Sequence, residues 1–355
     1  MISNTLGLGL ARLKATMLFS LFSSLTMTTI FLGALTFLGF YFLGIDLSYA
    51  IFATLLLLVL YFFIEALFTP LLIMHSARVR LLSRGENPYL ERVVEKICRA
   101  SNISSYRLGI AEDESPNAFT FGGFFSPPVI VVHRGLLEKM RRDELEAVIA
   151  HEVGHIKHKD YLIMTLLSFT PMLSYILGEI SLRSTGGEKD ERGGSLFIVG
   201  IVFMVIYFIS LLAIRSLSRM REYYSDLYSA VLTKKPESLV SALVKITYGA
   251  TLVRSNPILR AFYLNDTEQA KKEMENIRQK SYEYDLNRDG VLDELELEKA
   301  MEREARRFGS WAMEAFSTHP PTYKRIKLLR AIEDEIEIIK HIPSEKAFKS
   351  LSKII

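Results

Sequence analysis

His151-Glu152-Val153-Gly154-His155 closes the amphipathic run of residues 142–150 and decides how the rest of the chain is read. Four positions apart on an α-helix, the two imidazoles face the same way and can grip one metal ion, while Glu152 between them reaches the water that the ion polarises. Zinc brings such a water toward a neutral pKa, so that a carboxylate can take its proton and direct hydroxide at a peptide carbonyl. A catalytic zinc keeps one position for water and therefore needs a third protein ligand from elsewhere. The run Arg219-Met220-Arg221-Glu222-Tyr223-Tyr224-Ser225-Asp226 offers it. A Glu and an Asp four residues apart share a helical face, with Glu222 placed for the zinc and Asp226 for the bond that orients a histidine ligand. The competing reading of this pair is a solvated charged face between arginines, and the pentad's need for a third ligand weighs against it.

Composition says that part of the chain never meets water. Of the 355 residues 49% are apolar, and the 43 basic side chains are dispersed among 40 acidic ones for a net charge of +3. No basic stripe is present, which excludes nucleic acid as the partner. The single cysteine, Cys98, has no intrachain disulfide partner and follows Val93, Val94 and Ile97 in a helical pattern, as a small buried hydrophobe does.

Residues 17–43 carry no charge over a length above the roughly 20 residues that cross a hydrocarbon core, and residues 47–74, apolar except for Glu65 and with Pro70 near the end, return across it. A cleavable signal is the rival for the first segment, but the segment is too long and shows no small-residue cleavage site. Two further candidates are residues 161–182, interrupted by Pro171 and Glu179, and residues 195–214, which are free of charge. The metal supplies a topological check. His155 precedes this pair and Glu222 follows it, so both segments cross or neither does. Periodicity leaves a buried soluble hairpin open, but residues 195–214 read poorly as a soluble core helix, and four crossings are expected. Arg12 and Lys14, Arg78, Arg80 and Arg84, and Arg215, Arg219 and Arg221 then fall on one side, while the turn at 44–48 has no basic residue and the loop at 183–194 is balanced. The charge bias puts both termini and the metal site in the cytoplasm of a multi-pass cell-membrane protein. Glu222 follows Ile214 by about 12 Å of helix, which sets the site near the membrane surface.

In the soluble part, residues 87–100 read as an amphipathic helix, and 106–111 and 128–132 as short strands. Between them Ser115-Pro116-Asn117-Ala118-Phe119-Thr120-Phe121-Gly122-Gly123 alternates as an edge strand does. An exposed edge can pair with an extended peptide; a plain hairpin strand packing two phenylalanines is the equal alternative. Near the end, Ser317-Thr318-His319-Pro320-Pro321-Thr322-Tyr323-Lys324-Arg325-Ile326 fixes a loop and starts a helix. Taken alone it is a capping turn, although His319 and Arg325 are candidates to stabilise an oxyanion or hold a substrate backbone.

Together, the pentad extended through Ile156-Lys157-His158-Lys159-Asp160, the Glu222 run, the Asn117-Ala118-Phe119 strand and Thr318-His319-Pro320-Pro321 resemble the HtpX-like membrane zinc metalloproteases. The resemblance implies a gluzincin endopeptidase that degrades misfolded or damaged membrane proteins, with His151, His155 and Glu222 as zinc ligands and Glu152 as base. It also implies that Asn117 lies in the substrate groove, with Ala118 and Phe119 following it on the candidate substrate-binding edge strand, and that His319 and Arg325 work near the zinc. The prenyl-protein CAAX endopeptidases share this core but usually have more membrane helices, and a calcium-responsive scaffold with a non-catalytic metal site is the reading from another class. One segment departs from the family pattern. Asp285-Leu286-Asn287-Arg288-Asp289-Gly290-Val291-Leu292-Asp293-Glu294-Leu295-Glu296 matches the EF-hand loop, offering calcium Asp285, Asn287, Asp289, the Val291 carbonyl, Asp293 through water, and Glu296. An acidic linker that happens to fit is the alternative. Helical patterns at 266–284 and 293–308 flank it.

The expected fold is mostly α: a four-helix transmembrane region with a cytoplasmic α+β gluzincin domain carrying a small β-sheet. Its parts are a membrane hairpin at 1–76, the first part of the protease domain at 77–160, a second membrane hairpin at 161–214, the third-ligand helix at 215–265, the EF-hand-like insertion at 266–308 and the closing part at 309–355. Expected partners are unfolded or membrane protein substrates and the lipid bilayer. Oligomeric state leaves no sequence signature.

Overall fold

The structure, a computed structural model, describes residues 4–124, 126–184, 191–252, 281–286 and 317–333, together with 275, 279–280, 296, 299–300, 303, 314–315 and 336–337. Asn287, Asp289, Val291 and Asp293, and most of the 266–308 insertion, lie outside the described residues.

The chain opens with a helical hairpin, α1 (Asn4–Phe42) and α2 (Leu47–Ser76), turned at Asp46, whose carboxylate accepts the Ser48 N–H at 2.9 Å. A second pair follows later, α6 (Asp160–Ser184) and α7 (Glu191–Thr233). Four helices are long and apolar enough to cross a membrane, over Ala15–Tyr41, Leu47–Ser76, Asp160–Arg183 and Leu196–Thr233. Their outward faces are of the same character. Phe19, Phe52, Val59 and Leu72 are each more than 60% exposed, a belt of apolar surface that water would penalise and lipid accepts. Inside the bundle Phe31 meets Phe169 and Phe203 edge-on, with ring centroids 5.6 and 5.8 Å apart. Hydroxyls tie the helices across: Ser20 to Ser216 at 2.9 Å and Thr28 to Thr170 at 2.7 Å.

Between the two pairs lies the small domain: β1 (Val79–Leu81), α3 (Pro88–Ala100), β2 (Arg107–Ala111), β3 (Ala118–Gly123), β4 (Ser126–His133), α4 (Arg134–Lys139) and α5 (Arg142–Lys157). The sheet order is β1-β2-β4-β3, with β2 and β4 parallel and β3 antiparallel to β4, Ala118 opposite Val132. β3 is therefore an outer strand. β4 starts two residues earlier than the sequence predicts, because Pro127 and Pro128 stand at a strand start, where a missing N–H costs little. The three-residue β1, squeezed between α2 and a turn, has no sequence signal of its own.

α5 is the axis of the domain. On one side Leu145, Val148 and Ile149 pack with Leu90 and Val94 of α3 and with Ile130 and Val132 of β4. On the other, Ala147 joins Leu227 and Val231 of α7, Leu239 and Leu243 of α8 (Pro236–Leu252), and Ile326 and Leu329 of α10 (Thr322–Ala331). Tyr284, closing the short α9 (Ser281–Tyr284), and Ala300 sit in that same cluster. Glu144 pins the helix start: fully buried, it accepts from the Arg141 N–H, Ser241 and Lys245, each at 2.7 Å. Cys98 is buried as expected, and burial pushes its thiol up to about 12.

Candidate metal centre

α5 delivers His151, Glu152 and His155, and α7 delivers Glu222 from across a close helix crossing. Gly154 makes that crossing feasible. A Cβ there would lie 3.2 Å from Ser225 Oγ and 3.3 Å from Tyr228 Cβ, so the small residue inside the pentad sets how near the two ligand helices come.

Three residues supply the donors, the two Nε2 atoms and the carboxylate oxygens of Glu222. His151 Nε2 and His155 Nε2 are 3.2 Å apart, His155 Nε2 lies 3.4 Å from Glu222 Oε1, and His151 Nε2 lies 3.6 Å from Glu222 Oε2. Tetrahedral zinc with bonds of about 2.0–2.1 Å holds its ligands about 3.3 Å apart, so the triangle has the right size. Its chemistry agrees. Asp160 Oδ2 is hydrogen-bonded to His155 Nδ1 at 2.7 Å, and Asp226 Oδ1 stands 3.0 Å from His151 Nδ1 as a charge contact outside hydrogen-bond alignment. A carboxylate at Nδ1 keeps the proton there, which leaves both Nε2 lone pairs and the Glu222 carboxylate converging on one point. Glu222 Oε2 is buried and accepts no hydrogen bond among the described residues. Such a convergence calls for a cation. Burial drives both imidazoles toward the neutral form, but Asp226 and Glu222 beside His151, and Glu222 and Glu152 beside His155, hold them above the usual range.

The surrounding shell is partly unexpected. Asp226 takes the place foreseen for it and is also gripped by Arg325, through Nε to Oδ2 at 2.8 Å and Nη2 to Oδ1 at 2.7 Å. Burial works against the charge of Arg325, and Asp226 more than compensates, raising its pKa. Arg325 is 1% exposed and also has Nη1 3.4 Å from Glu222 Oε2, so it stands behind the ligands. His319 is nearer the working face, with Nδ1 3.3 Å from Glu222 Oε2, and lines the same cavity as Glu152. Asp160, its partner Arg221 and Ser225, whose Oγ lies 3.1 Å from His155 Nδ1, are orienting groups with no signal of their own in the sequence spacing. On an unbroken helix Asp160 would point away from His155. Lys159 adopts a left-handed φ of 56° and ends the helix, which swings Asp160 back at the start of α6.

The cavity in front of Glu152, about 470 Å3, has β3 as one wall, from Ala118 to Gly122. Asn117 lies just before that wall, buried, its carbonyl accepting the His133 N–H at 2.9 Å. Of the calcium-loop residues, Asp285 and Glu296 are described. The Leu286 N–H donates to Glu296 Oε1 at 2.7 Å and draws the two ends of that segment together.

A metal helix of the HExxH kind whose third ligand is a glutamate from a later helix defines a gluzincin metallopeptidase, and here that later helix is also a membrane span. Peptidase family M48 matches residues 84–333, and the chain belongs to it. Its metal is zinc by family, and the donor set fits that ion. Among relatives, "Protease HtpX homolog 2" of Methanosarcina mazei is 28% identical over 326 residues, covering 91% of this chain and 96% of its own. The "Protease HtpX homolog" of Pyrococcus furiosus is 32% identical over 275 residues, 77% of this chain and 83% of its own. A looser likeness is to the crystal structure of S. mikatae Ste24p, with a TM-score of 0.41 and 19% identity over 70% of this chain and 61% of that one.

Proposed function

We propose that this metalloprotease is an endopeptidase acting from the cytoplasmic face of the cell membrane on misfolded or damaged membrane proteins. The observation that carries the reading is the donor triangle of His151, His155 and Glu222 opening on the cavity that contains Glu152. Bound zinc supplies Lewis acidity, which lowers the pKa of water beside it and polarises a carbonyl. The residues do the rest. Glu152 takes the proton of the attacking water and returns it to the leaving amine. The outer edge of β3 from Ala118 onward pairs with an extended substrate backbone, and Asn117 holds the start of that strand. His319 faces the cavity and stabilises the developing oxyanion. Arg325 acts through Asp226 and Glu222, keeping His151 and the third ligand in place.

Calcium acts as a modulator in this reading. The 285–296 segment carries the EF-hand pattern, its ends are drawn together by Leu286 and Glu296, and flanking Tyr284 and Ala300 pack on the helices that bear Glu222 and Arg325. Order in the loop would thus reach the ligand helices through one shared core.

The test is cleavage of an unfolded model protein such as casein by detergent-purified chain, wild type beside Glu152→Gln, with zinc supplied after chelation. Zinc-dependent cleavage that disappears in a variant still binding zinc supports the endopeptidase; equal action by both overturns it. Adding calcium at fixed zinc should change the rate, and identical rates would remove the modulator.

A further inference from the structure

The cavity does not stop at the metal. Leu211, Ile214, Ser218 and Glu222 recur along α7 at three- and four-residue intervals, so the face that presents the metal ligand continues toward the membrane as one stripe, and all four line the cavity. A second stripe, Tyr161, Met164 and Ser168 of α6, stands opposite. From Glu222 to Leu211 is about 16 Å of helix rise. Leu211 and Ile214 close the charge-free stretch of a candidate membrane span, so the far end lies about one helical turn inside that stretch.

The remaining side comes from α2 and the end of β3. Thr69 and Ile73 line the cavity, and a Cβ at Gly123 would fall 3.1 Å from the Ala66 carbonyl and 3.2 Å from the Pro70 ring. β3 therefore lies against a membrane helix, and its edge runs along the mouth of a recess with mostly apolar walls. Two arginines lie on the lining. Arg221, one residue from Glu222, is engaged by Asp160 and the His158 carbonyl, and Arg215 directly follows Ile214, about 6 Å of rise from Leu211.

Resting on the endopeptidase reading above, we infer that this recess selects a large apolar side chain, Leu, Ile, Met or Phe, beside the scissile bond. The chain presenting it is the end of a substrate's own membrane-spanning segment. Met164, Leu211 and Ile214 are the residues that set the preference. A basic side chain entering among them would lose its hydration and meet the like charge of Arg215, and an acidic one would have Arg215 alone to answer its lost hydration, whereas an apolar one gains by leaving water for a shaped site. Pairing along β3 fixes the substrate backbone without reading its sequence, so discrimination falls to the recess.

The experiment uses the full chain with zinc in lipid nanodiscs, digesting a degenerate peptide library and a set of single-span proteins that differ at one residue beside the cleavage site. Cleavage positions are read by mass spectrometry. Met164→Trp narrows the recess and Leu211→Ala widens it; zinc content is measured on both. Wild type should favour Leu, Ile, Met or Phe over Ala by about tenfold or more in kcat/KM. Met164→Trp should move the preference toward Ala, and Leu211→Ala toward Phe and Trp. If the narrowed variant fails to fold, the widened one decides. A flat profile, a preference for acidic residues drawn by Arg215, cleavage confined to lipidated cysteine peptides, or a preference that neither variant moves overturns the inference while leaving the protease intact. Absence of any zinc-dependent cleavage by the wild type overturns the endopeptidase reading and this inference together.

Discussion

Replacing Asp226 by Asn separates two jobs that one carboxylate performs. Its Oδ1 serves both His151 Nδ1 at 3.0 Å and Arg325 Nη2 at 2.7 Å, and its Oδ2 serves Arg325 Nε at 2.8 Å. An amide offers one oxygen, so one partner loses its acceptor and the buried guanidinium loses its countercharge. Breaking a buried pair on one side costs about 3–5 kcal/mol. Glu222, with Oε2 3.4 Å from Arg325 Nη1, retains part of the compensation and places the expectation at the lower end, about 3 kcal/mol. Loss of the group that orients a histidine ligand lowers metal affinity by about 10–100-fold. The double variant Asp226→Asn with Arg325→Met removes both charges, and a side chain of similar volume should recover much of the stability. It should not recover the zinc. Thermal melting of the chelated protein reads the first quantity, and competition with a chromogenic chelator reads the second. If the double variant regains zinc affinity together with stability, Asp226 acts on the metal only through packing, and the assignment of its contact with His151 fails.

Other outcomes follow from neighbouring contacts. Asp160→Asn should weaken zinc binding by about tenfold or more with a smaller loss of stability, since His155 keeps Ser225 nearby; an unchanged zinc affinity would dismiss Asp160 as an orienting group. Gly154→Val should abolish zinc binding by forcing α5 and α7 apart, seen as a metal-free protein on purification; full zinc occupancy would show that the crossing yields. Glu144→Gln should cost about 1–3 kcal/mol at neutral pH. Burial alone would raise the Glu144 pKa, but Lys245, the Arg141 N–H and Ser241 hold it below its ordinary value. Its stabilisation is therefore present above the unfolded-state pKa of about 4.3 and lost as pH falls through the lower folded-state value, so the gap in melting temperature between wild type and variant should narrow under acid.

The parts of this protein that were legible from the chain are those set by local pattern. The pentad brings two imidazoles and a carboxylate together because helical spacing alone places them, and the charge-free runs give four candidate spans because length and polarity alone define them. Glu222 was found by the incompleteness of the pentad. What escaped depends on breaks and crossings. Asp160 reaches His155 only because Lys159 takes a left-handed conformation, and Arg221 reaches Asp160 only from another helix. Arg325 is expected near the zinc, and its guanidinium there grips Asp226 and comes within 3.4 Å of Glu222; the Asp226 contact, across 99 residues, is one that no spacing announces.

α7 runs from Leu196 in the membrane to Thr233 beyond Glu222 with no break in its helix. A rod without a joint makes the third metal ligand answerable to the bilayer. Thinner lipid tilts a long span and thicker lipid straightens it. Pivoting α7 by about 5° near Ile214 would carry Glu222, about 12 Å further on, by about 1 Å, a displacement on the scale that costs a catalytic site its alignment. α5 rests on the sheet and resists that shift, so membrane thickness becomes mechanical load on the metal triangle. Activity measured in nanodiscs of graded acyl-chain length should pass through an optimum, and a flat response would show that the crossing at Gly154 absorbs the load.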